Sequence, residues 1–212
     1  MIYSLTTSEL MGRPDLWQAV HALRHQIFVE EMGWEDLRRP DGLEVDQFDH
    51  EEAQHHLAIR NGELAGYQRM LPTTRPHLLT DVLQDLCEGP SPKGRRVWEL
   101  TRYAVAPHYR EGRWGVSSVG SELVAGFIEW GMERDIDQVI IEFEPMWVLR
   151  ALQLHFLARP LGYQRTYGRQ QVVATLLTFT DDTLRTVRAK RDHQAPVLQH
   201  GYPDLIGLKK AS

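Results

Sequence analysis

The sequence is poor in cysteine, since Cys87 is the only one among 212 residues. A single cysteine excludes an intramolecular disulfide framework and a cysteine-rich zinc site. We interpret Cys87 as a small packed apolar residue, because no activating pattern surrounds it. Histidine is frequent, but His25, His50, His55 and His56 show no spacing typical of metal ligands. We therefore expect no metal.

Long apolar runs are also missing. No run approaches the roughly 20 residues that a membrane helix needs. Residues 1–15 lack the basic segment and apolar segment that mark a secretory signal. Together with the unpaired cysteine, these absences predict a cytoplasmic protein with no membrane partner.

Positive charge is in deficit: 24 Lys and Arg stand against 29 Asp and Glu, a net charge of −5. This balance argues against a nucleic-acid partner, which requires a basic face. The hydrophobic fraction of 42% and the charged fraction of 25% are ordinary for a globular protein. The length allows one large or two small domains. We predict a single domain over residues 1–212, with a weakly patterned tail at about 193–212.

Helices and strands alternate along the chain. Periodicity and turn signals predict a helix at 15–31, a hairpin from Leu57 to Met70 turning at Asn61–Gly62, a strand at 97–106, a helix at 116–134, a strand at 138–143, a helix at 146–158, a strand at 172–179 and a helix from 181. This order predicts a mixed α/β domain, with a sheet in the middle and helices outside.

The segment between the first helix and the hairpin has no clear period, and it contains Glu44, Asp46 and Asp49. Irregular segments of this length tend to be functional or disordered. Acidic loop residues are commonly solvated surface. If the loop folds over a cleft, the same residues form a negative pocket near Phe28 and Trp34, suited to an organic cation.

Charged residues also interrupt an apolar strand at Glu99 and Arg102. Residues three apart on a regular strand face opposite sides, so these two share a site only if a bulge intervenes. The alternative is an ion-pair rung of a structural sheet. Arg69, near the end of the hairpin, is either edge decoration or part of a site. The glycine-containing loop Arg110–Gly115 precedes a helix and is either an anion site or a simple chain reversal.

Eight polar and aromatic residues occur in an order and spacing that resemble those of the LuxI-type acyl-homoserine-lactone synthases, the autoinducer synthases of bacterial quorum sensing. The matching residues are Arg24, Phe28, Trp34, Asp46, Asp49, Arg69, Glu99 and Arg102. The resemblance covers about residues 1–190. It implies a fold like that of GCN5-related N-acyltransferases: a mixed, mostly antiparallel, splayed sheet flanked by helices. The resemblance also implies a bulge on the strand of Glu99, which allows Glu99 and Arg102 to share a site. The loop at 110–115 matches the pyrophosphate-binding turn only in part, because Arg113 stands where a glycine is expected.

The resemblance implies a reaction between an acyl thioester and S-adenosylmethionine. The acyl group passes to the amino group, lactone closure releases methylthioadenosine, and no cofactor is needed beyond the substrates. The donor is acyl-CoA or an acyl-carrier protein. Arg38–Gly42 resembles members that accept short branched or aromatic acyl-CoAs. Two alternatives remain: a GCN5-like N-acyltransferase that acts on another amine without lactonisation, and a non-enzymatic sensor.

The resemblance also assigns roles to residues. Glu99 is the expected base and is catalytic together with Arg102, while backbone N–H groups beside Thr101 and Tyr103 hold the oxyanion. The acidic group of Glu44, Asp46 and Asp49 favours the sulfonium, and Phe28 and Trp34 close over it. The arginines Arg24, Arg69 and Arg102 orient the substrate carboxylate or lock the acidic loop.

The second half of the chain is expected to determine which acyl group is accepted. The candidates for the acyl pocket, each of which is otherwise ordinary core, are Phe127, Met146, Trp147, Leu149 and Leu152. An acidic carrier protein needs a basic docking face. The arginines available for such a face are Arg110, Arg113, Arg150, Arg159, Arg165 and Arg169.

Overall fold

A computed structural model describes residues 1–110, 117–190 and 194–201. The chain divides into two compact units. The first comprises Met1–Arg69, Arg102–Gly126 and Val197–Ser212, and the second comprises Met70–Thr101 and Phe127–Pro196. The single domain predicted over residues 1–212 stays a prediction.

The elements of the first half, in chain order, are β1 (Ile2–Thr6), α1 (Thr7–Met11), α2 (Pro14–Arg24), a π-helix (His25–Glu31), a 3-10 turn (Glu35–Leu37), β2 (Gln54–Arg60), β3 (Glu63–Pro72), α3 (Leu78–Asp81), a 3-10 turn (Gln84–Leu86) and β4 (Val97–Val105). Those of the second half are a 3-10 turn (Pro107–Tyr109), α4 (Ser118–Met132), β5 (Gln138–Phe143), α5 (Met146–Gln153), β6 (Leu157–Pro160), β7 (Arg165–Tyr167), β8 (Gln170–Thr178), α6 (Asp181–Lys190) and β9 (Leu198–Gln199).

The first unit is built on the predicted hairpin. Asn61 and Gly62 have φ values of 51° and 78°, which is the backbone that a tight two-residue hairpin turn requires. β1 pairs antiparallel with β2 on one side and parallel with β9 on the other. Apolar residues of α2 and the π-helix pack with residues of the strands to form the core of this unit, including Leu16, Val20 and Leu57.

The second unit is built around β5. β4 runs parallel to β5 in the register Glu99 to Ile140, and β8 pairs antiparallel with β5 on the other side. β6 and β7 both pair antiparallel with β8. The unit has its own apolar cluster, which Cys87 joins as a partly buried member, as expected. The strands of the two units are thus mixed in direction, as the resemblance implied.

The helix expected at 146–158 is shorter in the structure. α5 ends at Gln153, and residues 157–160 form β6 instead. The helix stops because His155 adopts a left-handed backbone, with φ of 62°, and the Phe156 N–H donates back to the Ala151 carbonyl. This is a common way to end a helix, although its usual residue is glycine.

The first predicted helix is split, since α2 passes into a π-helix at His25. The strands β1, β6, β7 and β9 and the helix α1 were not predicted. The start of the helix predicted at Val116 lies outside the described residues. In the parts of the chain that the structure describes, no helix is both long and apolar enough to cross a bilayer.

Candidate active site

The functional candidates of the first unit meet around three buried arginines. Arg24 is the last residue of α2, and its side chain is inaccessible to solvent. Its Nε donates to Glu44 Oε2 over 2.5 Å, and its Nη1 donates to Asp49 Oδ1 over 2.7 Å. The π-helix that follows carries Phe28 on the same side as the apolar core. Such π-helical turns occur frequently at functional sites.

Arg69 reaches the same acidic segment from β3. Its Nη1 donates to Asp46 Oδ1 over 2.6 Å and to Asp49 Oδ1 over 2.7 Å. Its Nη2 donates to Asp46 Oδ2 over 3.0 Å. The guanidinium also lies 5.9 Å from the centre of the Phe48 ring. The guanidinium of Arg69 thus donates to both oxygens of the Asp46 carboxylate, a bidentate arrangement that is stronger than a single hydrogen bond.

Arg102 completes the arrangement from β4. Its Nε and Nη2 each lie 3.1 Å from an oxygen of Glu44, and Nη2 is 2.7 Å from Asp46 Oδ2. The guanidinium lies over the rings of Phe28 and Trp34, at 5.4 and 5.7 Å from their centres. These two rings stack on each other with centroids 5.2 Å apart.

The acidic segment is therefore held in place by ion pairs, one of the two roles left open for the arginines. Burial opposes the ionisation of Glu44, but Arg24 and Arg102 outweigh it and hold its pKa below the ordinary value. In the same way Arg24 and Arg69 outweigh burial at Asp49 and hold its pKa well below the ordinary value. The carboxylates remain charged because each one is paired.

The negative charge of the acidic group is matched by positive charge. Three carboxylates, those of Glu44, Asp46 and Asp49, face three guanidiniums, so their charges balance. The side chains also accept from the loop backbone. Asp46 Oδ1 accepts from the Phe48 N–H, and Asp49 Oδ2 accepts from the Asp46 N–H. Side-chain contacts thereby hold the acidic segment in one conformation, although residues 44–49 form neither a helix nor a strand.

Glu99 belongs to the second unit and is completely buried. Its Oε1 accepts from the Leu79 N–H over 2.7 Å, and its Oε2 accepts from the Leu78 N–H over 2.8 Å. The Nδ1 atom of His77 lies 3.0 Å from Oε1. Glu99 thus gathers polar contacts from the segment that begins α3.

Two residues of the Glu99 surroundings were not predicted, namely His77 and Glu142. Burial and the neighbouring charge of Glu99 raise the pKa of Glu142 well above its ordinary value. The sequence does carry a signal for Glu142, because it is an acidic residue in the apolar strand at 138–143, where a charge needs a partner. No comparable signal marks His77.

The predicted oxyanion position lies at a break in the regular pleat of β4. Arg102, between Thr101 and Tyr103, has a left-handed backbone with φ of 55°. Left-handed residues within strands are typical of bulges, so this backbone agrees with the bulge that the resemblance implied. The Thr101 residue is buried, whereas Tyr103 is exposed.

The candidates for the acyl pocket separate into two groups. Phe127 is buried and packs against Phe156 and Phe179, with ring centroids 6.1 and 5.8 Å apart, so it is core. The other four are exposed residues of α5 and therefore are not core: Met146, Trp147, Leu149 and Leu152.

The expected phosphate loop is described only at its start. Arg110 donates to Glu31 over 2.7 Å and to the Val105 carbonyl over 2.9 Å, while Arg113 and Gly115 lie outside the described residues. Among the other arginines considered for a docking face, Arg150 is partly buried. The exposed ones are Arg159, Arg165 and Arg169. Within residues 1–110, 117–190 and 194–201, no group of three His, Cys, Asp or Glu side chains is arranged to hold a metal ion.

Comparison with known proteins gives consistent results along the chain. Residues 7–187 match the family model described as autoinducer synthase. The isovaleryl-homoserine lactone synthase of Bradyrhizobium diazoefficiens is 30% identical over 213 residues, covering 100% of this chain and 94% of that protein. An acyl-homoserine-lactone synthase of Ralstonia nicotianae is 34% identical over 169 residues, covering 76% of this chain and 80% of the relative.

Solved structures agree with these matches. BjaI, a CoA-dependent acyl-homoserine lactone synthase solved with SAM and isopentyl-CoA, superposes with a TM-score of 0.86 at 30% identity, covering 97% of this chain and 95% of BjaI. An acyl-CoA N-acyltransferase from Pseudomonas aeruginosa has a TM-score of 0.59 at 16% identity, covering 83% and 97% of the two chains, and shows the fold alone. The fold expected from the N-acyltransferases is confirmed.

Proposed function

Because this chain belongs to the autoinducer synthase family, we propose that it joins a short branched acyl group, delivered as acyl-CoA, to S-adenosylmethionine. The chain is an acyl-homoserine lactone synthase. The observation that carries the finer proposal is the similarity along the whole chain to an isovaleryl-homoserine lactone synthase. The structural likeness to BjaI, which was solved with SAM and isopentyl-CoA, supports it.

The proposed reaction has two steps. In the first, the nitrogen of S-adenosylmethionine attacks the thioester carbonyl, an N–C bond forms and the C–S bond breaks. The sulfur leaves as the thiol, and one net proton is released from the substrate ammonium. In the second step, the carboxylate oxygen attacks the γ-carbon and the C–S bond of the sulfonium breaks. Methylthioadenosine leaves with the bonding electron pair, so the product is an uncharged lactone.

We assign the proton of the first step to Glu99, directly or through a water. An α-amino group ordinarily has a pKa of about 8, so only modest help from a base is needed at neutral pH. The backbone N–H groups beside Thr101 and Tyr103 are our candidates for the oxyanion. The left-handed backbone of Arg102 between them supports this choice.

The first unit supplies our candidates for the S-adenosylmethionine site. Phe28 and Trp34 form a stacked aromatic pair that a sulfonium can approach. Since Asp46 and its two acidic neighbours are neutralised by arginines, we assign them to ordering the loop beside this pair. This assignment replaces a direct charge interaction with the substrate. We place the reaction in the cytoplasm, as the sequence predicted.

The choice of CoA over a carrier protein is tested by supplying both. The purified chain is incubated with S-adenosylmethionine and isovaleryl-CoA, a straight-chain acyl-CoA, or the matching acyl-carrier protein. Lactone and methylthioadenosine are measured by mass spectrometry. We expect isovaleryl-CoA to give the highest kcat/KM and both products in equal amounts. Higher kcat/KM with the carrier-protein donor would reject the CoA assignment, and acylation without methylthioadenosine would indicate an N-acyltransferase without lactonisation.

The role of Glu99 is tested by Glu99→Gln, which keeps the shape and removes the base. We expect a fall in kcat of about 10²- to 10⁴-fold. Glu144→Gln is the matched control, because Glu144 is an exposed residue just beyond β5. Full activity of Glu99→Gln would remove Glu99 as the base and leave the family assignment intact.

A further inference from the structure

The surroundings of Glu99 contain a second carboxyl group for which the reaction as described has no use. β4 and β5 are parallel neighbours, with Glu99 opposite Ile140. Side chains two residues apart on a strand point to the same face, so Glu142 lies on the same face of the sheet as Glu99. The two carboxyl groups are close enough for a hydrogen bond between their side chains.

The polar contacts of the two carboxyl groups are unequal. Both oxygens of Glu99 accept backbone N–H groups, from Leu78 and Leu79. Donors of this kind favour the ionised carboxylate. Glu142 Oε1, in contrast, is buried, and no N–H group donates to it.

Two adjacent buried carboxyl groups cannot both be charged without a large cost, and one of them then keeps a proton. Glu99 has the donors that stabilise a charge, so the proton resides on Glu142. Its O–H can donate to Glu99, whereas two carboxylates would have no proton between them.

We propose that Glu142 is a positioning residue that shares a proton with Glu99, and that this hydrogen bond determines how strongly Glu99 attracts a proton from the amine. The proposal deepens the proposed function and rests on Glu99 as the base. The burial of Glu142 and the charge of Glu99 both raise the pKa of Glu142, which supports the location of the proton.

Within the part of the chain that the structure describes, the other titratable groups around this pair come from the segment on either side of α3. His77 faces Glu99 through Nδ1, and its Nε2 is buried without a hydrogen-bond partner. Cys87 is close enough to Glu142 to interact with it, and burial raises the pKa of the thiol. β8 contributes no ionisable group next to Glu142, since it pairs there at Ala174, between Val173 and Thr175.

The shared proton is tested directly by infrared spectroscopy of the free protein with isotope-labelled glutamate. A protonated carboxyl group has a carbonyl stretch distinct from that of a carboxylate. We expect this band in the wild type at pH 7, its loss in Glu142→Gln and its retention in Glu144→Gln. A wild type without the band, or a Glu142→Gln variant that keeps it, would overturn the proposal.

The effect on Glu99 is tested by the pH profile of kcat/KM, in the acidic limb that lies below the break set by the substrate ammonium, whose ordinary pKa is about 8. Glu142→Leu removes a donor to ionised Glu99, so we expect the midpoint of the acidic limb to move upward by on the order of one pH unit. Glu142→Gln supplies a permanent N–H donor and is expected to restore the wild-type midpoint. A purely structural role would lower activity without moving the midpoint.

The outcomes separate this inference from the proposed function. An unmoved midpoint in Glu142→Leu contradicts the inference while lactone synthesis stands. If the wild type makes no lactone, the proposed function fails and the infrared experiment still decides where the proton resides. Circular dichroism checks folding, and if Glu142→Leu does not fold, the infrared comparison of wild type with Glu142→Gln decides.

Discussion

Arg102 donates to Asp46 over 2.7 Å, and the backbone of Arg102 itself is left-handed, with φ of 55°. Such a backbone costs a residue other than glycine roughly 1–3 kcal/mol and persists where the surroundings enforce it. The surroundings here are the carboxylates of Asp46 and Glu44 and the rings of Phe28 and Trp34. One side chain therefore links the bulge of β4 to the ordered acidic loop.

The first prediction concerns this arginine. Arg102→Met leaves Glu44 and Asp46 with fewer partners while buried, so we expect the free energy of unfolding to fall by about 3–5 kcal/mol. Arg96→Met is the control, because the Arg96 side chain is 65% exposed although it also pairs with a carboxylate, Asp137, at 2.6 Å. That variant is expected to lose less than about 1 kcal/mol. Urea unfolding measures both, and equal losses would contradict the structural role of Arg102.

The second prediction concerns acid stability. Against burial, Arg24 and Arg69 hold the pKa of Asp49 well below its ordinary value of 3.8. The unfolded chain therefore binds a proton at this residue at a higher pH than the folded chain does. The resulting stability is present above the ordinary value and is lost as the pH falls through the lower folded value.

We expect urea unfolding at pH 7, 5, 4 and 3 to show a loss of stability that is steepest below about pH 4. Asp49→Asn is expected to be less stable at neutral pH and to lose less on acidification. The exposed carboxylate Glu51 provides a control, Glu51→Gln, which keeps the wild-type slope. A slope unchanged in Asp49→Asn would show that other groups cause the acid sensitivity.

The third prediction separates core from surface among the acyl-pocket candidates. Phe127→Ala removes a buried ring, so we expect a loss of about 3–5 kcal/mol in the free energy of unfolding. Trp147, at 43% exposure, is expected to cost no more than about 0.5 kcal/mol when replaced by alanine. If Trp147 contacts the acyl group, Trp147→Ala raises KM for isovaleryl-CoA, and an unchanged KM would remove it from the pocket.

The fourth prediction concerns a close approach in the first unit. A Cβ atom added at Gly66 of β3 would lie 2.8 Å from Val119 Cγ1 and 3.0 Å from the Ala104 carbonyl oxygen. We expect Gly66→Ala to destabilise the protein by about 1–3 kcal/mol. At Gly89 nothing lies within 4 Å of the added atom, so Gly89→Ala serves as the control. Similar melting temperatures for the two variants would contradict this packing.

Local patterns predicted the elements whose signals are local. The Asn61–Gly62 turn is confirmed because its conformation depends on those two residues. β5 has the bounds that were predicted for it. Its signal is local because a short, mostly apolar run is typical of a buried strand. β9, in contrast, has two residues and exists only through its parallel pairing with β1, far away in the sequence. No local pattern could have predicted it.

The candidate site shows the same division. By itself, the sequence singled out Arg24, Glu44 and Arg102 as candidates, through the family resemblance and because a charge set among apolar residues requires a partner if it is buried. It did not determine the partners. Tertiary structure decided that the acidic loop is neutralised by arginines and that Glu142 lies beside Glu99. Ion pairing and proton sharing depend on distances of a few ångströms between residues far apart in sequence, and only the folded chain sets those distances.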